Sequence, residues 1–306
     1  MTTTFFCVSA LEIFMKFPFF LLILLFSIFP ASALSRLNSY ENECLEFVTD
    51  FRWKLASSTK NAFEILNECE SLKKKYQNDY NDEKIGRETL LCLENILTWE
   101  SFNYLYNEDC KSAVAPDGRV LVSTKDLELM ITGQYEAIRS YFKKTGNKDH
   151  SKWLYVTAGD ILSSSLQYLS IKKAMQEGLT IKKYYDMALE EDPGFVFCLI
   201  NIGQWYFHAP VVSGGGKGKA LNAFKKAESS AKNDIELYYA KLYLSQSYYE
   251  DGNKKRAAEL LEECEALLPG SGSVKLFKKL NENGYHYFEY PENRRKIDSK
   301  LAKKAM

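Results

Sequence analysis

Apolar residues recur along this chain at intervals of three and four, the spacing that turns one face of an α-helix toward a core. Residues 37–57 follow it through Cys44, Phe47, Val48, Phe51 and Leu55, and residues 61–76 through Ala62, Ile65, Leu66, Cys69 and Leu72. The polar cluster Asn78-Asp79-Tyr80-Asn81-Asp82 predicts a turn ahead of an aromatic-rich helix over 85–106. A loop over 107–118, carrying Pro116-Asp117-Gly118, precedes a helix over 124–144 that Thr145-Gly146-Asn147 stops. The pattern then predicts a long helix over 153–175 and a shorter one over 180–191, ended by Asp192-Pro193-Gly194. Further helices are expected over 195–207, 219–231, 235–249, 254–268 and 274–283. Strand-like alternation is nearly absent, so the expected class is all-α. After the aromatic strip Tyr285-His286-Tyr287-Phe288, residues 291–306 form a basic, apolar-poor tail that reads as solvated and partly disordered.

The start of the chain breaks this pattern. Residues 17–29 are an apolar run, preceded by Lys16 and followed by Pro30 and Ala31-Ser32-Ala33. A positive start, an apolar core and small residues at a cleavage site make a secretory signal, read here as residues 1–33. Met15 fits its start better than Met1. The run is short for a membrane span, so the mature chain is expected to be exported, periplasmic or secreted, with no span after cleavage. The bland reading is an uncleaved N-terminal anchor.

Within 244–269 the chain carries an ordered set of small and large positions. Leu244, Ser245 and Tyr248 lie in one helix, Gly252 at the turn, Ala257, Leu261 and Cys264 in the next helix, and Pro269 closes the unit. Small residues are required where paired helices cross closely, large ones fill the gaps, and proline ends the second helix. One unit earlier stand Leu199, Ile202, Gly203 and Tyr206, then Ala220, Phe224 and Ala227, with Lys232 in place of the closing proline. A further unit shows only its second helix and stop, in Ile181, Tyr185, Ala188 and Pro193. These positions resemble the tetratricopeptide repeat, although Lys241 stands where that repeat has a large aromatic. The resemblance implies a right-handed α-α superhelix of stacked antiparallel helix pairs, with repeats over 151–290 and divergent helical hairpins over 34–150. It also implies that the first helix of each pair lines a concave face. That places Phe197, Ile200, Gln204 and Phe207 beside Tyr239, Leu242, Gln246 and Tyr249. The face is aromatic with two amides, and lacks the cationic cluster that grips a peptide carboxylate. It suits a small ligand or a peptide helix. Packing of the same rings against a neighbouring helix is an equal alternative.

Composition removes several functions. Lys+Arg and Asp+Glu number 40 each among 306 residues, which leaves no net charge to displace counterions from nucleic acid. Behind the signal lie Cys44, Cys69, Cys92, Cys110, Cys198 and Cys264. An even set permits disulfides in an exported chain. Cys44, Cys69 and Cys92 fall at one level of antiparallel hairpins, where they read as small core residues of one packing layer. His150, His208 and His286 have no partner at metal-ligand spacing, and no Cys-x-x-Cys or Gly-x-Ser-x-Gly occurs. His208 reads as a helix-end or packing residue. No catalytic group, metal or cofactor is expected.

The glycine-rich segment 208–220 looks at first like a phosphate loop. Ser213 stands where that loop needs its first glycine, Ala220 replaces the metal-binding hydroxyl, and no strand precedes it. Asp192-Pro193, Gly203, Ala209-Pro210, Gly214-Gly215 and Ala220 instead resemble the repeat-containing T-component proteins of bacterial TRAP-type transport systems, over about 188–269. Those are exported helical proteins thought to work beside a solute-binding protein. The resemblance implies an accessory role in solute uptake, through a protein partner such as a solute-binding protein or through a small apolar-anionic ligand. No cysteine closely follows the apolar run, which departs from the lipoproteins of that family. The alternative is a purely structural scaffold in the cell envelope, without a small ligand. Oligomeric state is left open.

Overall fold

The three-and-four spacing folds as helix in the computed structural model, which describes residues 37–57, 62–107, 117–118, 120 and 122–304. Residues 1–33, read above as a signal, Cys110 and most of the loop over 107–118 lie outside the described residues. Twelve α-helices and three 3-10 turns, with no strand, make up the regular structure among the described residues. They are α1 (Ser39–Ser57), α2 (Ala62–Asn81), α3 (Arg87–Asn107), α4 (Thr124–Thr145), α5 (Lys152–Ser165) and α6 (Ile171–Glu191). Then come α7 (Val196–His208), α8 (Lys217–Ser230), α9 (Asp234–Glu250), α10 (Lys254–Leu267), α11 (Gly272–Glu282) and α12 (Tyr290–Lys304). From Leu37 onward the chain is one unit, in which one core cluster runs from α1 to α7 and reaches Ala223, and further clusters lie among α7 to α12.

Sequence neighbours pack as pairs, α5 with α6, α7 with α8 and α9 with α10. The first members also touch one another in order, α1 with α3, α3 with α5, α5 with α7, and α7 with α9. Finally α1 meets α9 and α11. The inner row of helices therefore closes on itself.

The pair α5–α6 differs from the expected break at 175–180. The helix stops at Ser165, passes through a 3-10 turn (Leu166–Tyr168), and restarts at Ile171. Ser165 Oγ bonds back to the Ile161 carbonyl at 2.7 Å, which competes with helix continuation. Gly178, in the gap expected between those two helices, lies inside α6, where its carbonyl accepts Trp205 Nε1 at 2.8 Å. The correction completes a repeat. Tyr155, Ala158, Gly159 and Leu162 of α5 hold the positions that Leu199, Ile202, Gly203 and Tyr206 hold in α7.

The glycines explain why the pairs sit so close. A Cβ on Gly159 would stand 2.4 Å from the Tyr185 ring, and one on Gly203 would stand 2.5 Å from the Phe224 ring. In the third pair the small residue is Ser245 and the large one Leu261, both buried.

The C-terminal tail also departs from expectation. Residues 290–304 form α12, with Ile297 and Leu301 buried against Leu280 and Tyr290. Arg294 Nη1 donates to the Tyr106 carbonyl at 2.7 Å. Two apolar residues one helical turn apart suffice to dock it, and the surrounding charge run hides them in the sequence. The described cysteines, Cys44, Cys69, Cys92, Cys198 and Cys264, are free buried thiols. The first three share one core cluster, with Cys69 Sγ 2.9 Å from Ser101 Oγ. No helix among the described residues is long and apolar enough to cross a membrane.

Alanine replacing glycine within a helix ordinarily stabilises by up to about 1 kcal/mol. Here Gly203→Ala forces a methyl into the Phe224 ring, and overpacking costs about 1–3 kcal/mol. Urea unfolding of Gly203→Ala is expected to show a net loss of stability, and a gain would contradict the close crossing.

Candidate binding cleft

The closed inner row buries a charge. Arg52 projects from α1 into the space between α3, α7 and α9 and is 6% exposed. Its guanidinium carbon lies 4.3 Å from the centre of the Phe197 ring and 4.9 Å from that of Trp99. Its Nε pairs with Glu100 Oε1. Tyr239 of α9 donates its hydroxyl to the Arg52 carbonyl at 3.2 Å, and Trp53 meets Tyr238 edge-on at 5.8 Å. Removing an ion from water costs several kcal/mol. The carboxylate and the ring faces offset that cost.

A second carboxylate lies beside this pair. Asp160 of α5 is 5% exposed, and its Oδ1 accepts from Tyr185 Oη at 2.9 Å and Asn201 Nδ2 at 2.5 Å. Burial pushes its pKa up to about 7, against the opposing pull of Arg52 and of these hydrogen bonds. Asn95 extends the polar cluster, donating to Thr157 Oγ1 at 3.1 Å and accepting from Gln134 Nε2 at 2.7 Å.

Two connected clefts open from this cluster. The larger, of about 810 Å³, runs between α3, α5, α6 and α7 to residues 287–292. The smaller, of about 560 Å³, runs beneath α1 toward α9 and α11. Trp99, Asn103, Asn201, Gln204 and Tyr287 line both. Ligand sites ordinarily measure about 300–1,000 Å³, apolar with a few placed polar groups. The larger cleft has that character, with Trp99, Trp205, Leu166 and Ile181 as walls and Asn103, Ser163, Asn201 and Gln204 as polar points. The hydrogen bond to Gly178 fixes the Trp205 indole. Met175 and Leu179, both exposed, stand at the rim.

The residues singled out in the sequence fall into two groups. Ile200, Gln204, Tyr239 and Leu242 line the smaller cleft, and Gln204 also lines the larger. The others pack against the chain itself. Phe197 lies under Arg52, and Phe207 stacks on Phe288 at 4.2 Å. Gln246 is fully buried, its Oε1 accepting the Tyr287 amide at 2.9 Å, and Tyr249 donates to the Asn281 carbonyl at 2.6 Å. The aromatic strip after α11 is thus seated on the face that the resemblance left open to a ligand.

Sequence reasoning missed Asp160, Asn201, Trp99 and Trp205. A signal existed for the first two. Asp160 interrupts a stretch of α5 buried from Trp153 to Leu162, and Asn201 stands between buried Ile200 and Ile202. A lone polar residue at a buried helical position needs a partner.

The glycine loop serves structure. The amides of Gly214, Gly215 and Gly216 donate to the carbonyls of Val211, Pro210 and Tyr206 at 2.9, 3.1 and 2.7 Å. A Cβ on Gly215 would stand 1.9 Å from the Ala209 oxygen. His150 Nδ1 lies 2.7 Å from Glu88 Oε2, whereas His208 stands at the cleft rim, 3.7 Å from Glu292. Among the described residues no group of three or more His, Cys, Asp or Glu is placed to hold a metal. The chain matches no protein-family model, and no curated protein matches it.

The raised Asp160 pKa fixes a sign. Between the ordinary carboxylate value near pH 4 and about 7, the folded chain keeps a proton that the unfolded chain has released, so this group makes stability fall as pH rises. Asp160→Asn keeps an acceptor for Tyr185 and Asn201. In urea titrations the variant is expected to gain stability relative to the parent from about pH 4 up to about pH 7, and then to level off. A difference independent of pH would contradict the assignment.

Proposed function

We propose that this chain is an exported helical-repeat binding protein of the tetratricopeptide type that holds a small organic ligand inside its closed row of helices. In this reading it is accessory to solute uptake of the TRAP type, working beside a solute-binding protein. The observation that carries the ligand reading is the cleft of about 810 Å³, walled by rings and supplied with a few inward polar groups. Its walls come from α3, α5 and α7, the first members of successive pairs, together with α6. The placement outside the cytoplasm rests on the apolar run at 17–29 and its Ala31-Ser32-Ala33 end. The tie to solute uptake rests on the loop and stop residues around 188–269. No catalytic role is assigned.

Gln204 reaches both clefts, and Trp205 walls the larger. Native mass spectrometry of protein purified from its source cells is expected to show a retained small molecule. Trp205→Leu and Gln204→Leu should each lower its occupancy about tenfold, the scale of losing one well-placed anchor. A protein that arrives empty, and captures only other proteins, would favour the alternative of a structural envelope scaffold.

A further inference from the structure

We propose that the larger cleft takes an organic cation, an amine or quaternary ammonium group on an apolar body, with its charge set against Asp160. This rests on reading the cleft as a ligand site and adds the sign of the ligand's charge, which is opposite to that implied by the family resemblance.

The first argument is electrostatic balance. The buried cluster holds Arg52, Glu100 and Asp160. Arg52 and Glu100 pair with each other, which leaves one carboxylate uncompensated. Asp160 Oδ1 receives two hydrogen bonds, none is found at Oδ2 among the described residues, and the residue lines the cleft. The described lining of the larger cleft contains Asp160 and Glu292 but neither lysine nor arginine. At the rim, burial lowers the pKa of His208 and keeps its imidazole neutral at neutral pH.

The second argument is the ring set. Trp99, Trp205, Tyr185 and Tyr287 line the same space as the carboxylate. Aromatic faces attract cations, and a desolvated site strengthens that attraction. A carboxylate ligand would meet the opposite: a like charge at the base, ring faces of the wrong polarity, and no lysine or arginine in the described lining to pair with it. The apolar body finds Leu166, Ile181 and, at the rim, Met175 and Leu179.

The test uses full-length protein, stripped of any retained molecule by unfolding and refolding, in isothermal titration at pH 8, above the Asp160 value of about 7. The probes share one body and differ in charge: 2-phenylethylamine and benzyltrimethylammonium as cations, 2-phenylethanol as neutral, 3-phenylpropionate as anion. Both cations are expected to bind at least about tenfold tighter than the alcohol and the anion. Asp160→Asn should remove that preference, bringing the cations to within about twofold of the alcohol measured on the same variant. Equal affinity across the series, a preference for the anion, no binding by any probe, or a cation preference that survives Asp160→Asn would each overturn the proposal. A neutral or anionic molecule retained from the source cells would overturn it too, yet leave the binding-protein reading standing. A protein that arrives empty and binds no probe would remove both.

Discussion

A guanidinium buried among helices must be compensated, and Arg52 draws its compensation from three of them. Glu100 comes from α3, the Phe197 ring from α7, and the Tyr239 ring from α9. Because an unpaired buried ion costs several kcal/mol, α1 cannot leave this position without stranding a charge. The consequence reaches the whole molecule. A row of stacked helix pairs would otherwise end with an open inner face. Here the first helix is locked onto the last repeats, and the space beneath it becomes a cleft with a polar base. Asp160 is drawn into the same arrangement, since Tyr185 and Asn201 hold it beside the pair.

The walls of that cleft depend on a second constraint, the closeness of paired helices. Gly159 against Tyr185 and Gly203 against Phe224 let two helix axes approach at points where any side chain would collide. The α5–α6 crossing brings Tyr185 within reach of Asp160, and the contact of α5 with α7 brings Asn201 to the same carboxylate. Packing and polar geometry are therefore coupled. A methyl group at Gly159 would displace the Tyr185 ring, and with it the hydroxyl that orients Asp160.

Much of the helix inventory was legible because amphipathic spacing survives in a single sequence. The repeat units of α7–α8 and α9–α10 were legible because their small and large positions are conspicuous. The unit α5–α6 was half hidden. Its apolar period runs across Ser165 and Ser170 without interruption, so the break was expected at 175–180 and not at the serines. The docking of α12 was hidden by charge, since Ile297 and Leu301 are the two buried positions amid lysines and arginines. Of the residues expected on the concave face, Gln204 lies where both clefts meet, Phe207 and Gln246 lie under the chain's own aromatic strip, and Tyr249 is bonded to α11.

The sequence by itself determined an all-helical chain of paired helices, the close crossings at its repeats, and the failure of segment 208–220 as a phosphate loop. These are local properties, written in periodicity and in residues a few positions apart. Only the tertiary structure decided that Arg52, Glu100, Asp160 and Asn201 meet, that α1 closes the row, and that Tyr287 and Phe288 cover part of the inner face. Those outcomes join groups as far apart as Arg52 and Tyr239. No local spacing records such contacts. They follow from the requirement that every charge taken out of water find a partner, wherever in the chain that partner lies.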